Sequence, residues 1–206
     1  MDKNWIISFI LISIFATVQC QLLQAITHVR SDNGRINGNI TFSQNDGGTV
    51  TIWGKVIGLP PGRHGFHIHE TGDITSNCAS TGAHYNPFKK NHGALVDPER
   101  HVGDLGNIIA SPDGVALISI TDNIISLTGP YTILGRSVVV HADPDDFGKG
   151  TFSDSLKTGH SGPRIACGVI GLLTPLEKLY DTSSATISHP WKLFISLILL
   201  VIKIVN

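Results

Sequence analysis

His67-Ile68-His69 sets two imidazoles two residues apart. Alternate side chains of a strand share one face, so a single metal ion can take both rings. His84, His92, His101 and His141 follow, and Asp104 stands three residues after His101. Six histidines and a carboxylate suit borderline divalent metals such as copper and zinc, whereas calcium and magnesium want oxygen. The other histidines read differently. His64, beside Gly65, is expected to be a hydrogen-bonded structural residue, His28 and His160 to face solvent, and His189 to lie in the tail.

Positioning such a set calls for a stiff scaffold. The 206 residues suffice for one domain plus targeting segments. Only 15% are charged and 7% aromatic, with 22 glycines, a composition of strands and turns rather than helices. Short strand-like runs recur at 36–42, 49–56, 65–69, 115–120, 137–141 and 166–172. Asp46-Gly47-Gly48 and Ser111-Pro112-Asp113-Gly114 separate some of them as turns, since Pro fixes φ and Gly accepts positive φ. This spacing predicts an all-β antiparallel sandwich or barrel over residues 25–173. Two stretches, 70–104 and 142–163, lack strand patterns, and loops of that length in a compact domain serve function or are disordered. The first carries most of the candidate ligands. The net charge of −1 leaves no basic footprint for nucleic acid.

Both ends read as processing signals. An apolar run from Trp5 to Val18 makes residues 1–20 a secretory signal peptide, with an uncleaved anchor as the alternative. Residues 174–192 form a polar stalk. A hydrophobic tail, 193–206, follows small residues at Ser183-Ser184-Ala185 and reads as a glycolipid-anchor (GPI) signal or a membrane tail. Loss of Cys20 leaves Cys78 and Cys167, an even pair that is either bridged or buried as free thiols. Export favours the bridge. Asn39-Ile40-Thr41 is a glycosylation sequon.

Four motifs together resemble the copper–zinc superoxide dismutases: Gly65-Phe66-His67-Ile68-His69-Glu70, Arg100-His101-Val102-Gly103-Asp104-Leu105-Gly106-Asn107, Val138-Val139-Val140-His141 with Asp145-Asp146, and Arg164-Ile165-Ala166-Cys167-Gly168-Val169-Ile170-Gly171. The resemblance spans residues 25–173. It implies an eight-stranded Greek-key β-barrel, immunoglobulin-like in layering, with two long functional loops. It assigns copper to His67, His69, His84 and His141, and zinc to His84, His92, His101 and Asp104. His84 would bridge both ions, and Asp145 would link His67 to His92 behind the metals. Three histidines and an aspartate close a tetrahedral zinc site, while four imidazoles suit oxidised copper. The implied reaction turns superoxide into oxygen and hydrogen peroxide. His84 would carry a proton, Arg164 would guide the anion, Lys157 and Thr158 would form the channel rim, and Cys78 and Cys167 would form a disulfide. A homodimer built around Thr71-Gly72 and Val169-Ile170-Gly171 is also implied.

Some positions depart from the family pattern. Ala83 replaces the usual proline before the bridging histidine, Tyr85 a phenylalanine, and Ala94-Leu95 a glycine and proline. Ser153 stands where an acidic residue is common. None removes a ligand. A non-enzymatic metal-binding scaffold would need a copper ligand or Arg164 to be missing, and a copper-delivery protein would bring extra cysteine motifs. The sequence has neither feature.

Overall fold

The structure, a computed structural model, describes residues 22–173. The expected signal peptide (1–20), stalk (174–192) and tail (193–206), with His189, lie outside the described residues. The chain divides into two units, Met1–Gly171 and Leu172–Asn206, and the barrel belongs to the first.

In chain order the strands are β1 (Leu23–Arg30), β2 (Asn37–Gln44), β3 (Val50–Ile57), β4 (Gly62–His69), β5 (Thr75–Cys78), β6 (Asp104–Ala110), β7 (Val115–Asp122), β8 (Ser137–His141), β9 (Arg164–Val169) and the two-residue β10 (Gly171–Leu172). Leaving aside β5 and the short β10, eight strands run antiparallel in the order β1-β2-β3-β7-β6-β4-β8-β9, and the Arg30–Cys167 pairing joins β1 to β9 into a closed eight-stranded barrel. The β3–β7 adjacency, between strands far apart in sequence, is the Greek-key crossover. Closure removes the free edges at which open sheets pair with other chains.

The six strand-like runs all overlap observed strands. β1 and β6 go beyond them. β1 does alternate, with Leu23, Ala25, Thr27 and Val29 buried, but small and polar residues dilute its apolar face. β6 opens on Asp104, and Gly106 and Asn107 interrupt its apolar pattern. The stretch 70–104, expected to lack strands, contains β5, and 142–163 contains a single helical turn, α1 (Ser155–Thr158).

Burial separates two kinds of strand. β3 alternates between buried and exposed residues, with one face on the core and one in water. By contrast, β8 is buried throughout and β4 from His64 onward. Their inward residues Phe66, Ile68, Val138 and Val140 join Phe42, Ile40 and Ile52 in the core, each worth about 1.5–3 kcal/mol when fully buried. The long loops cover their outward residues. Val139 forms a small buried cluster with Cys78 and Cys167 there.

Candidate metal centre

The outward row of β4 and β8 is where the histidines converge. Period-2 alternation sends His67 and His69 out as Phe66 and Ile68 go in, and His67 lies opposite Val139 in the register. His141 ends β8 on the same face. Asp104 opens β6 opposite His67, just past a bulge in β4, and bulges re-aim side chains in this way. The 70–104 loop brings in His84, which makes an antiparallel bridge with His69, and also His92 and His101. The 142–163 loop closes behind them. It packs so tightly that a Cβ on Gly65 would lie 2.6 Å from Ser161 Oγ. Glycine is therefore required at that crossing.

Two buried donor sets result. His67, His69, His84 and His141 form one, and His84, His92, His101 and Asp104 the other, with His84 common to both. In the second set Asp104 Oδ1 lies 3.0 Å from His84 Nδ1, 2.9 Å from His92 Nδ1 and 3.0 Å from His101 Nδ1. Tetrahedral zinc with bonds near 2.0 Å needs ligand atoms about 3.3 Å apart, so the spacing fits. The Asp104 carboxylate is aimed by two backbone amides, His101 N–H at 2.8 Å and Gly93 N–H at 3.1 Å, both donating to Oδ2.

The first set shows the same convergence. His69 Nδ1 donates to the Gly82 carbonyl at 2.9 Å and His141 Nδ1 to the Gly162 carbonyl at 3.0 Å. Those bonds leave a lone pair on each Nε2, and the two Nε2 atoms lie 3.3 Å apart. Two further nitrogens facing this set, His67 Nδ1 and His84 Nε2, are buried without any hydrogen-bond partner, as is His92 Nδ1 in the other set. The His92 Nδ1–Asp104 Oδ1 separation is short, but its angles are not those of a hydrogen bond. Buried polar atoms without partners are costly, and a cation at each focus removes that cost. The residues present thus fit both metals.

Asp145 holds the two sets from behind. Its Oδ2 accepts from His67 Nε2 at 2.9 Å and its Oδ1 from His92 Nε2 at 2.8 Å, fixing the tautomer that turns each Nδ1 toward a metal. Neighbouring Asp143 and Asp146 make no such contact. Asn107 holds the loop by accepting Asp145 N–H and donating to Asp145 C=O.

Burial and mutual repulsion keep the first set neutral. Burial pushes His141 down to about 4, and burial with the neighbouring His84 lowers His67 and His69 far below the ordinary range. Burial also lowers His84, against the pull of Asp104. Neutral imidazoles are the form that binds metal. For His92 burial again works downward, but Asp104 and Asp145 outweigh it and raise the group to about 9. Burial alone would raise both carboxyls, yet the histidines around them hold Asp104 and Asp145 well below the usual carboxylate range.

Arg164 borders the first set. Its Nη1 donates to the carbonyls of Cys78 (2.9 Å) and Ala79 (3.1 Å) and to Thr81 Oγ1 (3.0 Å), and its Nη2 to the Gly82 carbonyl (2.7 Å). Partial desolvation lowers its pKa, but guanidinium keeps its charge at any physiological pH. The Cys78–Cys167 disulfide, with Cα atoms 5.6 Å apart, ties the loop that supplies those acceptors to β9. Thr81, fully buried, lies 3.3 Å from His69 Nδ1 as well. Nothing in its sequence context marks it, because its partners are reached only through the fold. Lys157 and Thr158 lie on α1, and Lys157 lines a groove of about 620 Å³ with His84, Glu70 and Arg136. His64 is buried within hydrogen-bond distance of the His141 and Pro60 carbonyls, outside both donor sets. His28 and His160 are exposed, as is Asn39 on β2.

A closed Greek-key barrel carrying two buried donor sets that share one imidazole defines a protein with a paired copper and zinc centre. Residues 36–170 match the family described as copper/zinc superoxide dismutase. The chain is 54% identical over 151 residues to an extracellular copper–zinc superoxide dismutase of Brugia pahangi, covering 72% of this chain and 75% of that protein. Its fold is similar to the crystal structure of the clock protein EA4, with a TM-score of 0.70 and 49% identity over 73% of this chain and 94% of that one. The chain belongs to the copper/zinc superoxide dismutase family. Its cofactors are copper and zinc, and its reaction converts two superoxide ions and two protons into oxygen and hydrogen peroxide.

Proposed function

We propose that this chain removes superoxide outside the cell, with copper on His67, His69, His84 and His141 and zinc on His84, His92, His101 and Asp104. The observation that carries the assignment is His84, whose Nδ1 faces Asp104 while its buried Nε2 has no hydrogen-bond partner among the described residues. Copper supplies a one-electron couple and zinc a fixed positive charge. The chain's residues do the rest. His84 Nε2 carries the proton delivered to the reduced oxygen species, a task for a ring nitrogen whose lone pair can take either a metal or a proton. Arg164 holds the anion. The loop carbonyls and Thr81 occupy its Nη1 and one Nη2 hydrogen, so the remaining Nη2 and Nε hydrogens are left for substrate. Lys157 and Thr158 line the approach, and Lys157 adds a positive field that raises the encounter rate. Asp145 keeps His67 and His92 in their metal-binding tautomers.

The extracellular setting draws support from the relative's name, the disulfide and the apolar run at the N-terminus. We assign residues 1–20 to a signal peptide, 25–173 to the catalytic domain, 174–192 to a stalk, and 193–206 to a GPI signal or membrane tail. Asn39 is the glycan acceptor. Homodimerisation uses Thr71-Gly72 and Val169-Ile170-Gly171, where Val169 is 36% exposed. Metal analysis of the purified chain tests the central reading: about one copper and one zinc per chain are expected, with cyanide-sensitive superoxide removal. Zinc without bindable copper would leave only a scaffold. Release from cells by phosphatidylinositol-specific phospholipase tests the anchor.

A further inference from the structure

His84 must present one ring nitrogen to each donor set, so its backbone needs to be held on both sides. On the C-terminal side, Tyr85 N–H donates to the Ile68 carbonyl at 2.8 Å and Gly103 N–H to the Tyr85 carbonyl at 3.0 Å. On the N-terminal side, Glu70 N–H donates to the Ala83 carbonyl at 2.9 Å. Ala83 N–H is held instead by a side chain: it donates to Glu70 Oε1 at 3.1 Å. Gly82 makes room for that carboxylate, because a Cβ there would lie 2.5 Å from both Glu70 Cγ and Oε1. Arg136 braces the same point. Its Nη1 donates to the Glu70 carbonyl, and its guanidinium lies 3.5 Å from the centre of the Tyr85 ring.

Ala83 matters because its N–H and its free φ both need a constraint. A proline at this position has no N–H and a φ fixed near −65°. The Glu70 carboxylate supplies the missing constraint from across the turn. We infer that Glu70 is a positioning residue for His84: closed over Gly82 onto Ala83 N–H, its carboxylate holds the turn that aims the His84 ring between the two donor sets. This role rests on the reading of His84 as the shared ligand.

The test compares Glu70→Ala, Glu70→Gln, Ala83→Pro and the double variant Glu70→Ala/Ala83→Pro. Gly82 has φ 77° and ψ −159°, an extended ψ that tolerates a following proline. Amide hydrogen exchange of Ala83, followed by NMR in the zinc-loaded chain, reads the bond directly. Glu70→Ala should speed it about threefold to tenfold, the range one hydrogen bond supports. Glu70→Gln, which keeps an acceptor oxygen, should leave it slow. In the copper-loaded chain with cobalt(II) on the zinc residues, Glu70→Ala should shift and broaden the visible cobalt band and lower kcat/KM by a similar factor. The double variant should restore both. Unchanged Ala83 exchange in Glu70→Ala overturns the inference. So does faster exchange with an unaltered cobalt band and turnover, or a double variant no better than Glu70→Ala while Ala83→Pro alone behaves as wild type. Should proline block folding, the Glu70→Ala and Glu70→Gln pair decides by itself. A wild-type chain that takes up neither copper nor cobalt overturns the His84 reading and the inference with it, and Ala83 exchange shows separately whether the clip exists.

Discussion

Replacing Asp145 by asparagine is the sharpest probe of the paired centre. Asp145 Oδ2 and Oδ1 each accept from one buried Nε2–H, of His67 at 2.9 Å and of His92 at 2.8 Å. Both rings must carry that hydrogen if both Nδ1 atoms bind metal. An asparagine side chain has one acceptor oxygen and one NH2 group, so either orientation sets an amide N–H against a ring N–H. A buried donor left without an acceptor costs about 1–3 kcal/mol, a factor of about 5 to 150 in affinity at 1.4 kcal/mol per tenfold. That cost falls on one metal. The other is weakened by loss of the negative charge that favoured its ligand's orientation, and outer partners of this kind are worth about 10–100-fold. Competition with calibrated chelators measures the Kd for zinc and for copper separately, and 15N NMR reports the tautomers of His67 and His92. Both affinities should fall, at least one by about tenfold or more. If neither metal's Kd moves beyond about twofold and both tautomers persist, Asp145 does not hold these rings for metal, and the hydrogen-bond count above is wrong.

Three further perturbations follow from the same structure. Thr27 Oγ1 is fully buried without a partner, so Thr27→Val should raise stability by about 1 kcal/mol and Tm by about 2–4 °C, as read by calorimetry. The Cys78–Cys167 link spans 89 residues of sequence separation. Its loss in the double alanine variant should cost about 4–5 kcal/mol in the chain-entropy model, and a loss below about 2 kcal/mol in urea titrations would contradict that model here. The metal-free chain should be acid-sensitive in a defined window. Burial holds His67, His69, His84 and His141 below their unfolded value, His141 at about 4, so between about pH 6.5 and 4 the unfolded chain binds more protons. Stability should therefore decrease as the pH is lowered through that window. His92, raised to about 9, stays protonated in the folded state throughout, and its opposing slope is confined to the top of the window, where the unfolded ring is still titrating. Metal-loaded protein should show a profile at least as steep, since the ions exclude those protons from the folded state while the unfolded chain still takes them up.

Much of the candidate site was legible because residue type carries its chemistry. The His67-Ile68-His69 spacing puts two rings on one strand face wherever that strand lies. The order of the remaining histidines and Asp104 named the residues that converge. The barrel class was readable from alternating runs and turn dipeptides, but β1 and β6 were not, because small, polar and glycine positions blur their alternation. Thr81 and Glu70 escaped for another reason. Their partners, Arg164 and Ala83, are 83 and 13 residues away, and no local pattern records such a contact.

The sequence by itself determined which lone pairs and charges are available: imidazoles and carboxylates in a β-rich chain that carries Cys78 and Cys167. The tertiary structure decided how they are used. Asp145 reaches two rings where Asp143 and Asp146 reach none, and the carbonyls of Gly82 and Gly162 choose which nitrogen of His69 and His141 keeps its lone pair. These outcomes depend on strand register and loop closure over the outer face of β4 and β8. Hydrogen bonds act over a few ångströms of space, and only the folded barrel brings residues tens of positions apart within that reach.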